Sequence, residues 1–203
     1  NNDHRFLVLS QLKNLSINAE KITLEPEGKN TAPAILIAAL DLLNKYGNVI
    51  LFISPSDSYI CNWKKMRETI KLAIKSASKG NIVTFSVFPN NPETAYGYIE
   101  KGSEIEPGTY KVNKFLEKPS RNIAEQFLES GNYFWNSGIF VASANTIIDE
   151  LNKYNPTIVD ICKKSLKYGK KDNNFYRLEK SYFSQLSSLS FDYALMEKTN
   201  KAV

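Results

Sequence analysis

Two short stretches carry most of the chemistry this sequence can do. Phe115-Leu116-Glu117-Lys118-Pro119 sets a carboxylate and an ammonium side by side at the end of an apolar run. A lysine fixed by a following proline can neutralise a phosphate, and its neighbouring carboxylate can accept hydrogen bonds from hydroxyls. A plain surface ion pair would read the same way. Trp135-Asn136-Ser137-Gly138 interrupts an aromatic run. Asn136 offers donor and acceptor to a diol, and Gly138 lets a ligand approach the backbone; the alternative is a β-bulge with no ligand. Asp57 follows an apolar strand and can hold a hard cation such as Mg²⁺ beside a phosphate, or serve as a turn or cap residue. Asn30-Thr31-Ala32-Pro33 opens a helix whose free N–H groups could meet a base or phosphate, or be closed by ordinary capping.

The elements that position these residues follow from hydrophobic period. Arg5–Leu9, Ile22–Leu24, Val49–Ile53 and Ile82–Phe88 read as strands, the last two as buried strands flanking a long amphipathic helix from Asn62 to Ser78. That is a βαβ unit, and its right-handed crossover makes the two strands parallel. Ala34–Tyr46 is apolar almost all round and reads as a buried helix ended by Gly47. Gly97–Glu100 and Tyr110–Leu116 read as strands joined by a polar link, an antiparallel excursion. After a helix from Arg121 to Ser130, Tyr133–Val141 is strand-like, and the rest is mostly helical, including Asn174–Leu186 and Ser190–Lys198. The polar clusters, Pro92–Tyr98 among them, fall at strand ends, where open α/β sheets bind ligands.

Composition narrows the function. The chain has 203 residues, 42% hydrophobic and 23% charged, enough for one α/β core. Its net charge of +5 is spread over short pairs such as Lys64-Lys65 and Lys170-Lys171, so nothing argues for nucleic acid. Cys61 and Cys162 lie far apart with no metal spacing, and His4 is the single histidine, which leaves little for a His-based triad or metal site. The longest apolar run, Ala32–Leu40, is too short to span a bilayer, so no membrane partner is expected. Asn1 opens the chain without Met and Val203 ends it without a polar tail, so both ends read as cut.

In this order the motifs resemble the mannose-1-phosphate guanylyltransferases, a branch of the sugar-phosphate nucleotidyltransferases. The resemblance is carried by Asp3-His4-Arg5-Phe6-Leu7-Val8, Glu25-Pro26-x-Gly28-x-Asn30-Thr31-Ala32-Pro33-Ala34, Ser56-Asp57, Pro92-Glu93-Thr94-x-Tyr96-Gly97-Tyr98-Ile99, Phe115-x-Glu117-Lys118-Pro119, Trp135-Asn136-Ser137-Gly138-x-Phe140 and Ser190-Phe191-Asp192-Tyr193-Ala194-x-Met196-Glu197-Lys198. It implies a Rossmann-like α/β fold, mostly parallel, with residues 1–203 forming a partial nucleotidyltransferase domain that lacks the first strand and Gly-rich loop. It implies GMP transfer from GTP to mannose 1-phosphate with Mg²⁺, in a cytoplasmic enzyme whose assembly as a homo-oligomer is left open. Asp57 would be a metal ligand and Lys118 would hold the sugar phosphate. Glu117, Asn136, Ser137, Gly138, Tyr96 and Gly97 would line the sugar, and Glu25, Asn30 and Thr31 would sit near the guanine or ribose. Ser58, Ala95 and Lys29 depart from the family pattern, which usually has His, Gly and Arg there. As given, the chain is expected to turn over essentially nothing alone. Two other readings stay open: a nucleotidyltransferase for another nucleotide sugar, and a non-catalytic remnant or regulatory sugar-phosphate-binding partner.

Overall fold

The computed structural model describes residues 2–203. Its main sheet is built around one strand, β6 (Tyr133–Ser143). β2 (Ile50–Ile53) and β3 (Val83–Val87) lie on opposite edges of β6, because Val141 is the register partner of both Phe52 and Val83. β4 (Tyr98–Glu106) shares an edge with β2, because Trp135 faces both Tyr98 and Val87. β5 (Thr109–Leu116) then pairs with β4. Every ladder in this sheet is antiparallel, which corrects the mostly parallel sheet expected from the sequence. β2 and β3 do run in the same direction, as a βαβ unit requires, but β6 is inserted between them. Beyond β3 the chain end adds a short parallel contact: Ile82 donates to the Lys201 carbonyl at 2.9 Å, and Val112 of β5 donates to that of Ala202 at 3.2 Å.

The core lies on the helical side. α2 (Thr31–Tyr46) buries Ala32, Leu36 and Ala39 completely, and packs on α5 (Ala144–Tyr154) and α6 (Pro156–Lys167). Asn30 caps α2 by accepting from the Thr31 N–H at 2.8 Å, and Gly47, at φ 77°, ends it. α3 (Trp63–Ala77) is more loosely seated: Ala73, Ser76 and Ala77 are buried, whereas Trp63 is exposed. α4 (Arg121–Ser130) covers Tyr98 with Ala124 and Phe127. Among the described residues no helix is long and apolar enough to cross a membrane.

Four local expectations give way. Arg5–Leu9 lies in a helix, α1 (Arg5–Asn14), with Phe6 and Leu7 exposed. No strand among the described residues offers that segment a ladder, and a helix satisfies its backbone internally. Val49–Ile53 is not covered on both faces, since Phe52 is exposed. The polar Lys101–Gly108 link is strand almost throughout; β4 and β5 close on a tight turn at Pro107-Gly108, where Gly108 has φ 78°. The helix expected over Asn174–Leu186 is instead a hairpin of β7 (Lys170–Asp172) and β8 (Phe175–Arg177), followed by α7 (Lys180–Phe183). Asn173 takes φ 52° to turn that hairpin, and β8 finds a parallel partner in β1 (Ile22–Leu24). A long-range pairing thus overrides a local helical pattern.

Candidate functional site

β2 and β4 do not meet along their shared edge of β6. β2 stops at Ile53, opposite Phe140, and β4 starts at Tyr98, opposite Trp135. Between them Ser137, Gly138 and Ile139 have no ladder partner on that edge. On the other edge, Thr84 faces Phe140 while Ser86 faces Asn136, so β6 bulges over the same residues. The bulge and the gap open a cleft of about 840 Å³. The loops that leave β2 and enter β4 border it, bringing Pro55 and Asp57 from one side and Ala95, Tyr96 and Gly97 from the other.

The two glycines at this cleft have different reasons to be there. Gly138 has φ 70°, and a Cβ there would lie 3.4 Å from Pro55 Cγ. A Cβ on Gly97 would lie 2.6 Å from Glu117 Oε2, so the absence of a side chain is what lets the Glu117 carboxylate fold over this backbone. Lys118 has φ 49°, unusual for a residue with a Cβ, and its N–H donates to the Tyr96 carbonyl at 3.3 Å. Its Nζ lies 3.6 Å from Glu117 Oε1.

Asp57, Tyr96, Gly97, Glu117, Asn136, Ser137 and Gly138 therefore line one cleft, with the Lys118 ammonium beside Glu117. Glu25, Asn30 and Thr31 are not brought there. The Thr31 N–H is taken by Asn30 Oδ1 and the Ala32 N–H by the Leu189 carbonyl at 3.1 Å, so the start of α2 has no free donor at these two positions. Thr31 Oγ1 accepts from the Phe191 N–H at 2.8 Å, tying α2 to the segment before Asp192. Glu25 sits half-buried, and burial raises its pKa. Among the described residues no group of three or more His, Cys, Asp or Glu could hold a metal ion, and Asp57 is an exposed carboxylate at the cleft.

Several lining residues escaped the sequence reading, Lys65, Ser86 and Asp192 among them, and Asp192 is the best connected. Asp192 begins a π-turn, Asp192–Met196, closed by the Glu197 N–H on the Asp192 carbonyl at 3.1 Å. Asp192 Oδ1 accepts from Asn136 Nδ2 at 2.9 Å, and Glu197 Oε1 accepts from the Glu117 N–H at 3.0 Å. One turn thus holds two of the lining residues, Asn136 and Glu117. π-turns concentrate at functional sites, but the Ser190–Lys198 pattern does not distinguish one from an α-helix.

The electrostatics at this cleft work against folding. Burial raises the Asp192 carboxyl, opposed by its hydrogen bonds and by Lys118. Burial and then the Asp192 charge raise Glu117, opposed by Lys118. For an acid raised by folding, the unfolded chain ionises first as pH rises, so stability is lost above the ordinary carboxylate pKa, 3.8 for Asp and 4.5 for Glu. Glu117→Gln should therefore melt higher than wild type at neutral pH, with the gap closing in acid below that range; thermal scans across pH check this.

Comparisons with known proteins bear on the fold and the family. The family of nucleotidyl transferases matches residues 1–182. The xanthan biosynthesis protein XanB of Xanthomonas campestris is 42% identical over 203 residues, all of this chain and 43% of that protein. A mannose-1-phosphate guanylyltransferase of Escherichia coli is 42% identical over 206 residues, 98% of this chain and 44% of that protein. The chain spans less than half the length of these curated relatives. A Helicobacter pylori structure described as mannose-6-phosphate isomerase superposes with TM-score 0.90 at 36% identity, covering 100% of this chain and 79% of that one. A Thermus thermophilus structure described as mannose-1-phosphate geranyltransferase gives TM-score 0.77 at 28% identity, covering 88% and 50%.

Proposed function

The chain belongs to the nucleotidyl transferase family, and from that premise we propose that it supplies the sugar-phosphate half of a mannose-1-phosphate guanylyltransferase site, within a cytoplasmic enzyme. The reading is carried by the cleft where a carboxylate (Glu117), a hydroxyl (Ser137) and a glycine-lined backbone (Gly97, Gly138) converge beside the Lys118 ammonium. That set matches a polyol bearing a phosphate: acceptors for hydroxyls, a close-approach surface for a ring, and one cation.

In the reaction, a phosphate oxygen of mannose 1-phosphate attacks the α-phosphorus of GTP. The new P–O bond replaces the α–β anhydride bond, and pyrophosphate leaves. Such transfers are accelerated mainly by positioning and charge neutralisation. Lys118 neutralises the attacking sugar phosphate and holds it at the cleft. Glu117 accepts sugar hydroxyls, oriented by its packing on Gly97. Asp57 would be the residue at this cleft to hold a magnesium ion, which would supply further charge neutralisation.

The test is a competition of GTP, UTP, CTP and ATP with mannose 1-phosphate in the full-length protein, read as pyrophosphate release. GTP preference supports the reading; preference for another nucleotide, or no release, overturns it. Gly97→Ala checks the sugar pocket separately. Its Cβ must push the Glu117 carboxylate aside, so affinity for mannose 1-phosphate, measured by calorimetry, should fall roughly 10-fold, the loss expected for one hydrogen bond to a charged group.

A further inference from the structure

We infer that Asp192 is a second hydroxyl-binding carboxylate of the sugar cleft and that Thr84 and Asn136 are the residues that position it. The inference rests on the sugar-phosphate reading of the cleft and adds to it a specificity determinant on a separate element.

Asp192 lines the cleft together with Glu117, Ser137 and Gly138, although it lies far along the chain from all of them. A chain of hydrogen bonds ends on it. Thr84 Oγ1, on β3, donates to Asn136 Oδ1 at 2.8 Å, and the Gly138 N–H donates to the same oxygen at 3.3 Å. A backbone N–H can only donate, so it fixes which end of the amide is oxygen and turns the NH₂ toward Asp192. Asn136 Nδ2 then donates to Asp192 Oδ1 at 2.9 Å. Asn136 is thus largely consumed inside the protein: its oxygen is doubly engaged, and one of its two N–H bonds is spent on Asp192. Its main work is to orient a carboxylate.

The cost of placing that carboxylate argues for a ligand. Asp192 is half-buried, shares the cleft with Glu117, and has the Glu197 carboxylate one π-turn away. Lys118 is the cation whose charge offsets it. Fold stability would be better served by an amide, which could still accept the Asn136 bond. A carboxylate accepts more strongly from neutral hydroxyls, and a site built to hydrogen-bond a hydroxyl rejects analogues lacking it more sharply than an apolar pocket can.

Calorimetry of the full-length protein with mannose 1-phosphate, its monodeoxy analogues and inorganic phosphate tests this. Wild type should bind mannose 1-phosphate and should lose roughly 10- to 100-fold for one analogue in particular. Asp192→Asn should lose a similar factor for the parent sugar, no longer distinguish that analogue, bind inorganic phosphate as wild type does, and melt no lower than wild type. Thr84→Val should weaken the parent sugar several-fold while keeping the analogue preference, and Thr84→Ser should restore it. If Asp192→Asn keeps wild-type affinity and discrimination, the inference falls while the sugar-phosphate reading stands. If wild type binds no mannose 1-phosphate, that reading falls and the inference with it. Should Asp192→Asn fold poorly, the Thr84 pair decides: no change in Thr84→Val overturns the positioning chain.

Discussion

Lys118→Gly is expected to leave the protein about as stable as wild type and to make it a much poorer ligand binder. Lys118 has φ 49° and precedes Pro119, and its side chain is 58% exposed. A Cβ in the left-handed region costs roughly 1–2 kcal/mol, a strain glycine does not feel, although glycine's own unfolded-state entropy returns part of that. The ion pair with Glu117 is long, but the Glu117 side chain is nearly buried and Lys118 also offsets the Asp192 charge, so losing the cation gives back much of that gain. The two effects oppose each other, so the melting temperature should stay within a few degrees of wild type, at about 2–4 °C per kcal/mol for a chain of this size. Affinity for mannose 1-phosphate should meanwhile fall roughly 10- to 100-fold, because a charge-assisted bond to phosphate contributes about 1.5–3 kcal/mol. Lys118→Ala should show the same loss of affinity and melt lower than Lys118→Gly, since it keeps the strain and loses the charge, and Lys118→Arg should recover part of the binding, since its fork reaches phosphate with different geometry. Calorimetry and thermal melts on the three variants separate strain from charge. If Lys118→Gly binds like wild type, Lys118 is a surface residue and the phosphate lies elsewhere.

The candidate cleft was partly legible in the sequence. Residues that break local rules are visible as such: a lysine before proline, a glycine inside an aromatic strand, an aspartate just past a strand. Each marks a point where the chain stops optimising its own fold, and the structure gathers Asp57, Glu117, Asn136, Ser137 and Gly138 around one cleft. Helices with caps and glycine stops, such as α2, were equally plain, because the signals are local. What stayed hidden depends on distant partners. Asp192 looks like an ordinary early-helix aspartate until Asn136 and the π-turn are in place. The strand β8 forms because β1 lies beside it, and nothing within residues 174–186 reports that. The direction of β6, inserted between β2 and β3, likewise follows from sheet order, which a βαβ pattern does not contain. Asn30 and Thr31 show the reverse case: their types suit a ligand, but the Phe191 N–H and the Thr31 N–H reach them first.

Phe191 should be the most costly single position near the site to truncate. It is fully buried, its ring lies 5.1 Å from that of Phe140 on β6, and its N–H is held by Thr31 Oγ1 at 2.8 Å. It therefore joins α2, the bulged strand and the π-turn at one point. Phe191→Ala removes the ring and leaves a cavity among side chains that are already close-packed, at a cost of about 3–5 kcal/mol. At the scaling above, that lowers the melting temperature by roughly 6–20 °C. The damage should not stay in the core. Asp192 and Glu197 are placed by the turn that Phe191 anchors, so affinity for mannose 1-phosphate should fall with stability, unlike Asp192→Asn, in which the two move apart. Phe191→Leu, which refills most of the volume, should restore the greater part of both. Equilibrium unfolding and calorimetry on this pair give the comparison. A Phe191→Ala protein that melts like wild type would mean that the turn is held by its backbone bonds alone, and the coupling between core and cleft argued from this ring pair would be lost.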